Sequence, residues 1–548
     1  MRKMLSMLLV AVLLLSMLPA MVASADETRT VTVFVGDPMD QPSADNKIFK
    51  LIEEKLGLKF EFEFLAGDLD ETLGMKIAGE DYADLMCGSN SADTLINAGA
   101  LIDLMPFISE EKTPNIWTHI QPYLGRLLND KGELFIIPNY GRNYNEEIVN
   151  YCNGPAFFIQ KQVLAWDNYP QIKTLDEYFD LIERFLAANP TDKNGTPYTG
   201  FEVLCDGWRS FCLRNPVQHL VGRPNDGDVR VYIDDNYKTE VFINKDYAKP
   251  YYKKLNDEFH KGIINQDTFV MNFDQYIAKL SSGTVLGMFD QNWDFGVATD
   301  ALKTADMYEN TYIALPLVYD ESYGFGKIEE HYLNGSVINV NRGYGISVNA
   351  EDPEMLVQMM ETFLSDEWQT IFHWGIEGED YYVENGRFLK TDEQKANYED
   401  ATWAISNRAK ALFENLPKKQ GTRDDGNAWE PGLQSEIYFA QMSQYDKDFL
   451  SAYGYQKPAD FFNPPIELAP YGEAWQIDYA SVTEVADVNT KFVDIQIRDL
   501  PQIIMCEPDE FDAKWDAFVA ALDELPISVF ENYMQEQVLK LVEANTAK

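Results

Sequence analysis

Between Thr30 and Asn90 the sequence changes period repeatedly, and this constrains the fold more than any other feature. Thr30 to Val35 reads as a strand. Ile48, Leu51, Ile52 and Leu56 then recur at helical spacing up to Gly57, a residue suited to a C-cap. LKFEFEFL alternates as a second strand, ETLGMKIAGEDYADLMCGSN supplies another helix, and Ala83 to Met86 forms a short third strand. Strand, helix, strand, helix, strand predicts an α/β fold with a parallel sheet covered by helices. Ligands of such sheets sit beyond the carboxyl ends of the strands. The loop Gly88-Ser89-Asn90 occupies that place, so Ser89 and Asn90 are candidate ligand contacts.

The chain has 548 residues, too many for one ordinary core, so two lobes are expected. The spacing predicts a helix over 175–188, opened by a Thr174/Glu177 capping box. VLGMFDQNWDFG reads as a strand delivering Asp290, Asn292 and Trp293 into a loop, and 344–348 as another strand. Asp352-Pro353 starts a helix with proline in its first turn. Near the C-terminus, Phe511, Trp515, Phe518, Val519 and Leu522 share a helical face. There is no internal repeat, low-complexity tract or heptad seam. Breaks near 138–155, 289–296 and 343–350 coincide with strand ends, as in a chain passing between two lobes three times. The expected boundaries are 26–145 plus 295–345 for one lobe and 146–294 plus 346–548 for the other.

The first 25 residues form a signal peptide: Arg2 and Lys3, an apolar run to about Leu18, then Ala23-Ser24-Ala25 as a small-x-small cleavage site. Export is expected. The formal net charge of -44 repels nucleic acid and anionic lipid, which argues against both as ligands. Five cysteines (Cys87, Cys152, Cys205, Cys212, Cys506) are too few for a disulfide scaffold, though Cys205 and Cys212 are close enough in sequence to pair.

Nucleophile, Walker, His-Glu-x-x-His and Cys-x-x-Cys signatures are absent, and the five histidines have no partner in spacing. Catalytic options narrow to carboxylates. HWGIEGEDYYVENGRF (373–388) offers Glu377, Glu379, Asp380 and Glu384, but Asn385-Gly386 between apolar runs is a hairpin signal, so most of these acids read as turn and edge residues. Trp374 and Glu377 stay as ligand candidates. Asp192 and Asn194, with Gly195, echo a calcium turn, but Glu202, the nearest far-end carboxylate, is wrongly spaced. A solvent turn is favoured and no cofactor is expected, with calcium at Asp192 and Asn194 kept as the minority alternative. Aromatic residues in loops beside polar groups are the better ligand candidates: Trp208 in CDGWRS, Trp293 in DQNWDFG and Trp429 in DDGNAWEPG.

Four stretches in order, ETLGMKIAGEDYADLMCGSNSADTLINAGALIDLMPFI (71–108), KQVLAWDNYPQIKTLDEYFDLIERF (161–185), GYGISVNAEDPEMLVQMMETFLSDEWQTIFHWGIEGEDYY (343–382) and FDAKWDAFVAALDELPISVFENYMQE near the end, resemble the extracellular solute-binding proteins of ABC importers, of the family 1 type associated with carbohydrates. The resemblance implies a two-lobed periplasmic-binding-protein-like fold (type II), three inter-lobe crossings and a ligand cleft between the lobes. It also implies a carbohydrate ligand handed to ABC permease transmembrane subunits, and a monomer that binds without cleaving. Many relatives carry a lipid-modified cysteine after the signal; Asp26 stands there instead. Two alternatives stay open: an exported glycoside hydrolase or lyase using a carboxylate pair, and a binder of peptides or other solutes on the same fold.

Overall fold

A computed structural model describes residues 28–222, 230–319, 338–465 and 469–546; the signal peptide, Asp26 and His331 lie outside the described residues. The strands, in chain order, are β1 (Arg29–Val35), β2 (Leu58–Phe64), β3 (Leu85–Cys87), β4 (Ile137–Pro138), β5 (Pro155–Gln160), β6 (Thr199–Glu202), β7 (Val231–Ile233), β8 (Thr239–Val241), β9 (Val285–Gln291), β10 (Tyr312–Leu315), β11 (Gly343–Ile346), β12 (Tyr382–Glu384) and β13 (Arg387–Leu389). The described residues divide into two compact units. Unit 1 takes those up to Pro122, Leu128–Tyr140 and Asn339–Lys419; unit 2 takes Tyr123–Leu127, those of Gly141–Ile338 and those from Gln420 on.

Apart from the short stretches Tyr123–Leu127 and 141–145, which go with unit 2, this division differs from the expected boundaries in two long segments. Residues following 295 stay with unit 2 because β10 pairs antiparallel with β5 from Tyr312↔Gln160 to Leu315↔Phe157. Residues 346–419 join unit 1 because the helix Pro353–Phe363 carries Glu361, whose carboxylate accepts from the backbone N–H of Asn115 and Ile116 at 2.9 and 2.8 Å. It thereby caps the helix Pro114–Ile120, the favoured place for a negative charge.

The sheet of unit 1 has the order β2-β1-β3-β11-β4. β1 runs parallel to β2 and β3, as the period changes predict, whereas β11 enters antiparallel from far along the chain. The helix Lys47–Leu56 buries Ile48 and Ile52; Asn46 caps it by accepting from Ile48 and Phe49 N–H, and Gly57 ends it at φ +66°. Further on, the helix Asp366–Trp374 stops at Gly375, and β12 and β13 meet across Asn385 (φ +53°) and Gly386 (φ +80°), the turn that Asn-Gly favours.

In unit 2 the order is β10-β5-β9-β6, with β9 parallel to β6 and antiparallel to β5. The helix Leu175–Ala188 opens with both halves of the Thr174/Glu177 capping box and buries Tyr178, Phe179, Ile182 and Phe185 against this sheet. The Tyr178 hydroxyl donates to Phe158 O at 2.7 Å. Helices Thr483–Met505, Phe511–Asp523 and Ile527–Thr546 complete the same core, with Trp515 stacked on Tyr252 at 5.5 Å. No helix among the described residues is long and apolar enough to cross a membrane.

Candidate functional site

β6 and β9 are parallel neighbours, so both deliver their following residues to the same edge of the unit 2 sheet. After β6 the chain turns at Gly207 (φ +54°) into the short helical turn Gly207–Ser210, which holds Trp208. Directly after β9 the helix Asn292–Thr304 begins, so Trp293 sits in a helical first turn rather than in the expected loop. The two indoles come together: their centroids are 5.9 Å apart and their planes differ by 6°. Both remain 48% and 43% exposed, respectively. Buried Phe211 underlies both, at 5.8 Å from Trp208 and 6.2 Å from Trp293.

Polar groups hold this platform. The Trp293 Nε1–H donates to Gln291 Oε1 at 2.6 Å. Arg209 Nε donates to Asp294 Oδ1 at 2.8 Å, and its guanidinium lies 4.5 Å from the Trp208 ring centre and 3.7 Å from that of Phe273. Two buried atoms here, Gln291 Nε2 and Asp294 Oδ2, have no hydrogen-bond partner among the described residues. These atoms keep hydrogen-bonding capacity that water or a ligand can take up. Arg209, Gln291 and Asp294 were not singled out from the sequence. Their signal was adjacency: a cation follows one tryptophan and an acid follows the other, in GWRS and NWDF.

Asp290 lies beneath the platform and is fully buried, which removes it from direct ligand contact. Its carboxyl accepts from the Tyr276 hydroxyl and the Gln291 N–H, both at 2.7 Å, and from the Cys212 thiol at 3.5 Å. Burial, and then the neighbouring charge of Asp294, push it up to about 7. Asn292 is half-buried, its N–H bonded to Asn153 O at 3.0 Å.

The other candidates fall elsewhere. Ser89, at φ +49°, donates to Asp37 Oδ1 at 2.9 Å, and Arg342 pairs with Asp37 Oδ2 at 2.5 Å. This cluster lies beyond the carboxyl ends of β1 and β3 in unit 1, with Asn90 exposed beside it. Trp429 is only 3% exposed, with the Arg423 guanidinium 4.2 Å from its ring centre, so it is a packing residue. Trp374 is buried against Tyr381 and Phe388, whereas Glu377 is exposed in the turn before β12. Asp380 is fixed by Lys47 at 2.7 Å, so the acids of 373–388 do not converge on a reacting centre.

Asp192 and Asn194 form a self-contained turn. Asp192 Oδ1 accepts from the N–H groups of Asn194 and Thr196 at 2.9 and 2.7 Å, and these bonds hold its carboxyl below the usual range. Glu202 is buried on β6, accepting from Thr268 at 2.6 Å and paired with Lys279, well away from such a turn. Among the described residues no three acids, histidines or cysteines gather as a metal site. Cys205 and Cys212 form no disulfide with each other, and burial pushes the Cys205 thiol up to about 12.

No family model and no curated protein matches the sequence. Solved structures do match, and they define the class of fold: that of extracellular solute-binding proteins of ABC transporters. An HMO-binding ABC-transporter-associated solute-binding protein from Bifidobacterium longum infantis superposes with a TM-score of 0.66 at 16% identity, covering 94% of this chain and 100% of that one. The ABC-transporter substrate-binding protein FusA of S. pneumoniae in complex with kestose gives 0.60 at 14% identity, covering 93% and 99%. The alginate-binding protein AlgQ2 without calcium ion gives 0.57 at 15%, covering 94% and 98%.

Proposed function

We propose that this protein is the extracellular substrate-binding component of an ABC importer, which captures an oligosaccharide and delivers it intact to a membrane permease. The observation that carries the reading is the near-parallel, half-exposed Trp208–Trp293 pair at the edge of the unit 2 sheet. Flat apolar faces pack on the C–H faces of sugar rings, and nearby polar groups bond hydroxyls. The three relatives named above share the fold, and their names record an HMO, kestose and alginate as ligands. Asp206 and Asp294 against Arg209 leave an acidic surplus around the indoles, which favours uncharged glycans over acidic ones. In this reading the protein works as an exported monomer, needs no calcium and breaks no bond in its ligand.

A thermal-shift panel of neutral and acidic glycans tests this. At least one neutral oligosaccharide is expected to raise the melting temperature progressively with concentration and to be recovered at its original length. Release of new reducing ends by the purified protein, or silence across all glycans beside tight binding of a peptide, would overturn it.

A further inference from the structure

The unit 2 sheet carries a second feature along the edge that holds the tryptophans. Leu315 of β10 faces Phe157 of β5, and Phe157 faces Phe289 of β9. Leu315 and Phe289 are therefore level, and the chain leaves the sheet at one edge at Pro316 after β10 and, two residues past that level, at Asn292 after β9. The strands β10 and β9 are two strand spacings apart, roughly 10 Å. At the β10 end of that edge is a cavity of about 350 Å³, lined by Gln171, Lys173, Pro316, Tyr455, Phe461 and Asn463 among others.

Both walls of this cavity are fixed. On one side, Val318 N–H donates to Lys173 O at 3.0 Å, tying residues 170–174 to the chain beyond β10. On the other, the Asp460 carboxylate accepts from Gln456 and Lys457 N–H at 2.8 and 3.1 Å, and the Tyr455 and Phe461 rings meet edge to face at 4.8 Å. Aromatic faces with an ammonium and amide side chains beside them have the composition of a sugar site, and the volume is of the size small-molecule sites use. The register places this cavity and the indole pair at the same end of the unit 2 sheet.

We propose that this cavity is a second sugar subsite, so that the protein takes glycans longer than a disaccharide and distinguishes them by length. The proposal rests on the carbohydrate reading above. Its occupant is the far end of a glycan whose first rings lie on Trp208 and Trp293.

Titration calorimetry with two ladders, lactose to lacto-N-tetraose and sucrose through kestose to nystose, tests it on the full-length protein. The wild type is expected to bind the longest member of at least one ladder about tenfold more tightly than the disaccharide. Gln171→Trp, which fills the cavity mouth from an exposed position, and Lys173→Ala, an exposed side chain, are expected to bring the long member down to the disaccharide's affinity while leaving the disaccharide unchanged. Trp293→Ala is expected to weaken both. A wild type without length dependence, or variants that keep it, overturns the subsite while the carbohydrate reading stands. Failure of both ladders at every length would instead count against the carbohydrate reading itself.

Discussion

Arg209 and Asp294 meet at 2.8 Å, Nε to Oδ1, and this pair ties the turn that carries Trp208 to the helix that carries Trp293. The ion pair is largely buried, with the two side chains 24% and 2% exposed, so it is held by geometry rather than screened by water. Replacing Trp208 or Trp293 by alanine is expected to weaken glycan binding by about tenfold or more, about 1.4 kcal/mol, with stability changed by less than about 1 kcal/mol because both rings are half-exposed. Arg209→Lys keeps the charge but loses the flat stack on Trp208, and is expected to weaken binding less than either tryptophan loss. Calorimetry and urea unfolding separate the two effects.

Asp290 makes stability depend on pH. Its folded value is raised to about 7 and an unfolded aspartate titrates near 3.9, so between these limits the folded state holds more protons than the unfolded one. Stability attributable to this group is therefore full at low pH and is lost as pH rises from about 4 to about 7. Asp290→Asn removes the titration. Relative to the wild type, the variant is expected to gain stability between pH 5 and pH 8, measured by urea unfolding at both; a difference constant with pH would show that Asp290 stays ionised.

In the Asp192 turn Oδ1 accepts two backbone N–H groups and Oδ2 accepts from Asn194 Nδ2 at 3.3 Å, so the carboxylate serves the turn itself. Treatment with a chelator followed by millimolar calcium is expected to move the melting temperature by less than about 1 °C. A rise of several degrees that disappears in Asp192→Ala would show that a calcium site exists there.

Gly375 ends the helix Asp366–Trp374 at φ +88°, and a Cβ added there would lie 2.5 Å from Asp380 Cβ. Asp380 cannot retreat freely, because it accepts from Ile376 N–H at 2.8 Å and is paired with Lys47. Gly375→Ala is expected to cost about 2–4 kcal/mol in urea unfolding. Glycan affinity at a temperature where the variant is folded should not change.

Local signals were legible in the sequence because their causes are local. The Thr174/Glu177 capping box, the Gly57 stop and the Asn385-Gly386 turn each depend on a few adjacent residues. The pairing of Trp208 with Trp293 was not legible, since it follows from β6 lying parallel beside β9. Residue types and loop context marked both tryptophans as candidates; only the register brought them into one platform. Trp429 shows the reverse failure. Its setting, DDGNAWEPG, looks like an exposed loop, but the chain folds back through Arg423 N–H to Asn427 O at 2.7 Å and Trp429 N–H to Gly421 O at 3.0 Å, and Arg423 covers the ring. The antiparallel entry of β11 beside β3 was equally hidden, because strand periodicity says nothing about direction.

The stack of Trp515 on Tyr252 bears on the order in which this chain can be assembled. Asn256 likewise donates to Ile504 O and Cys506 O at 2.9 and 2.7 Å, so the middle of the sequence completes its packing only against segments made much later. Earlier segments cover part of the helix Lys249–His260, as Tyr251 does against Phe157, but its Tyr252 and Asn256 side is completed only by residues beyond 500. Such long-range closure is slow. The core of unit 2 is thus completed only when residues beyond 500 have been made, although most of its sheet is encoded before residue 316.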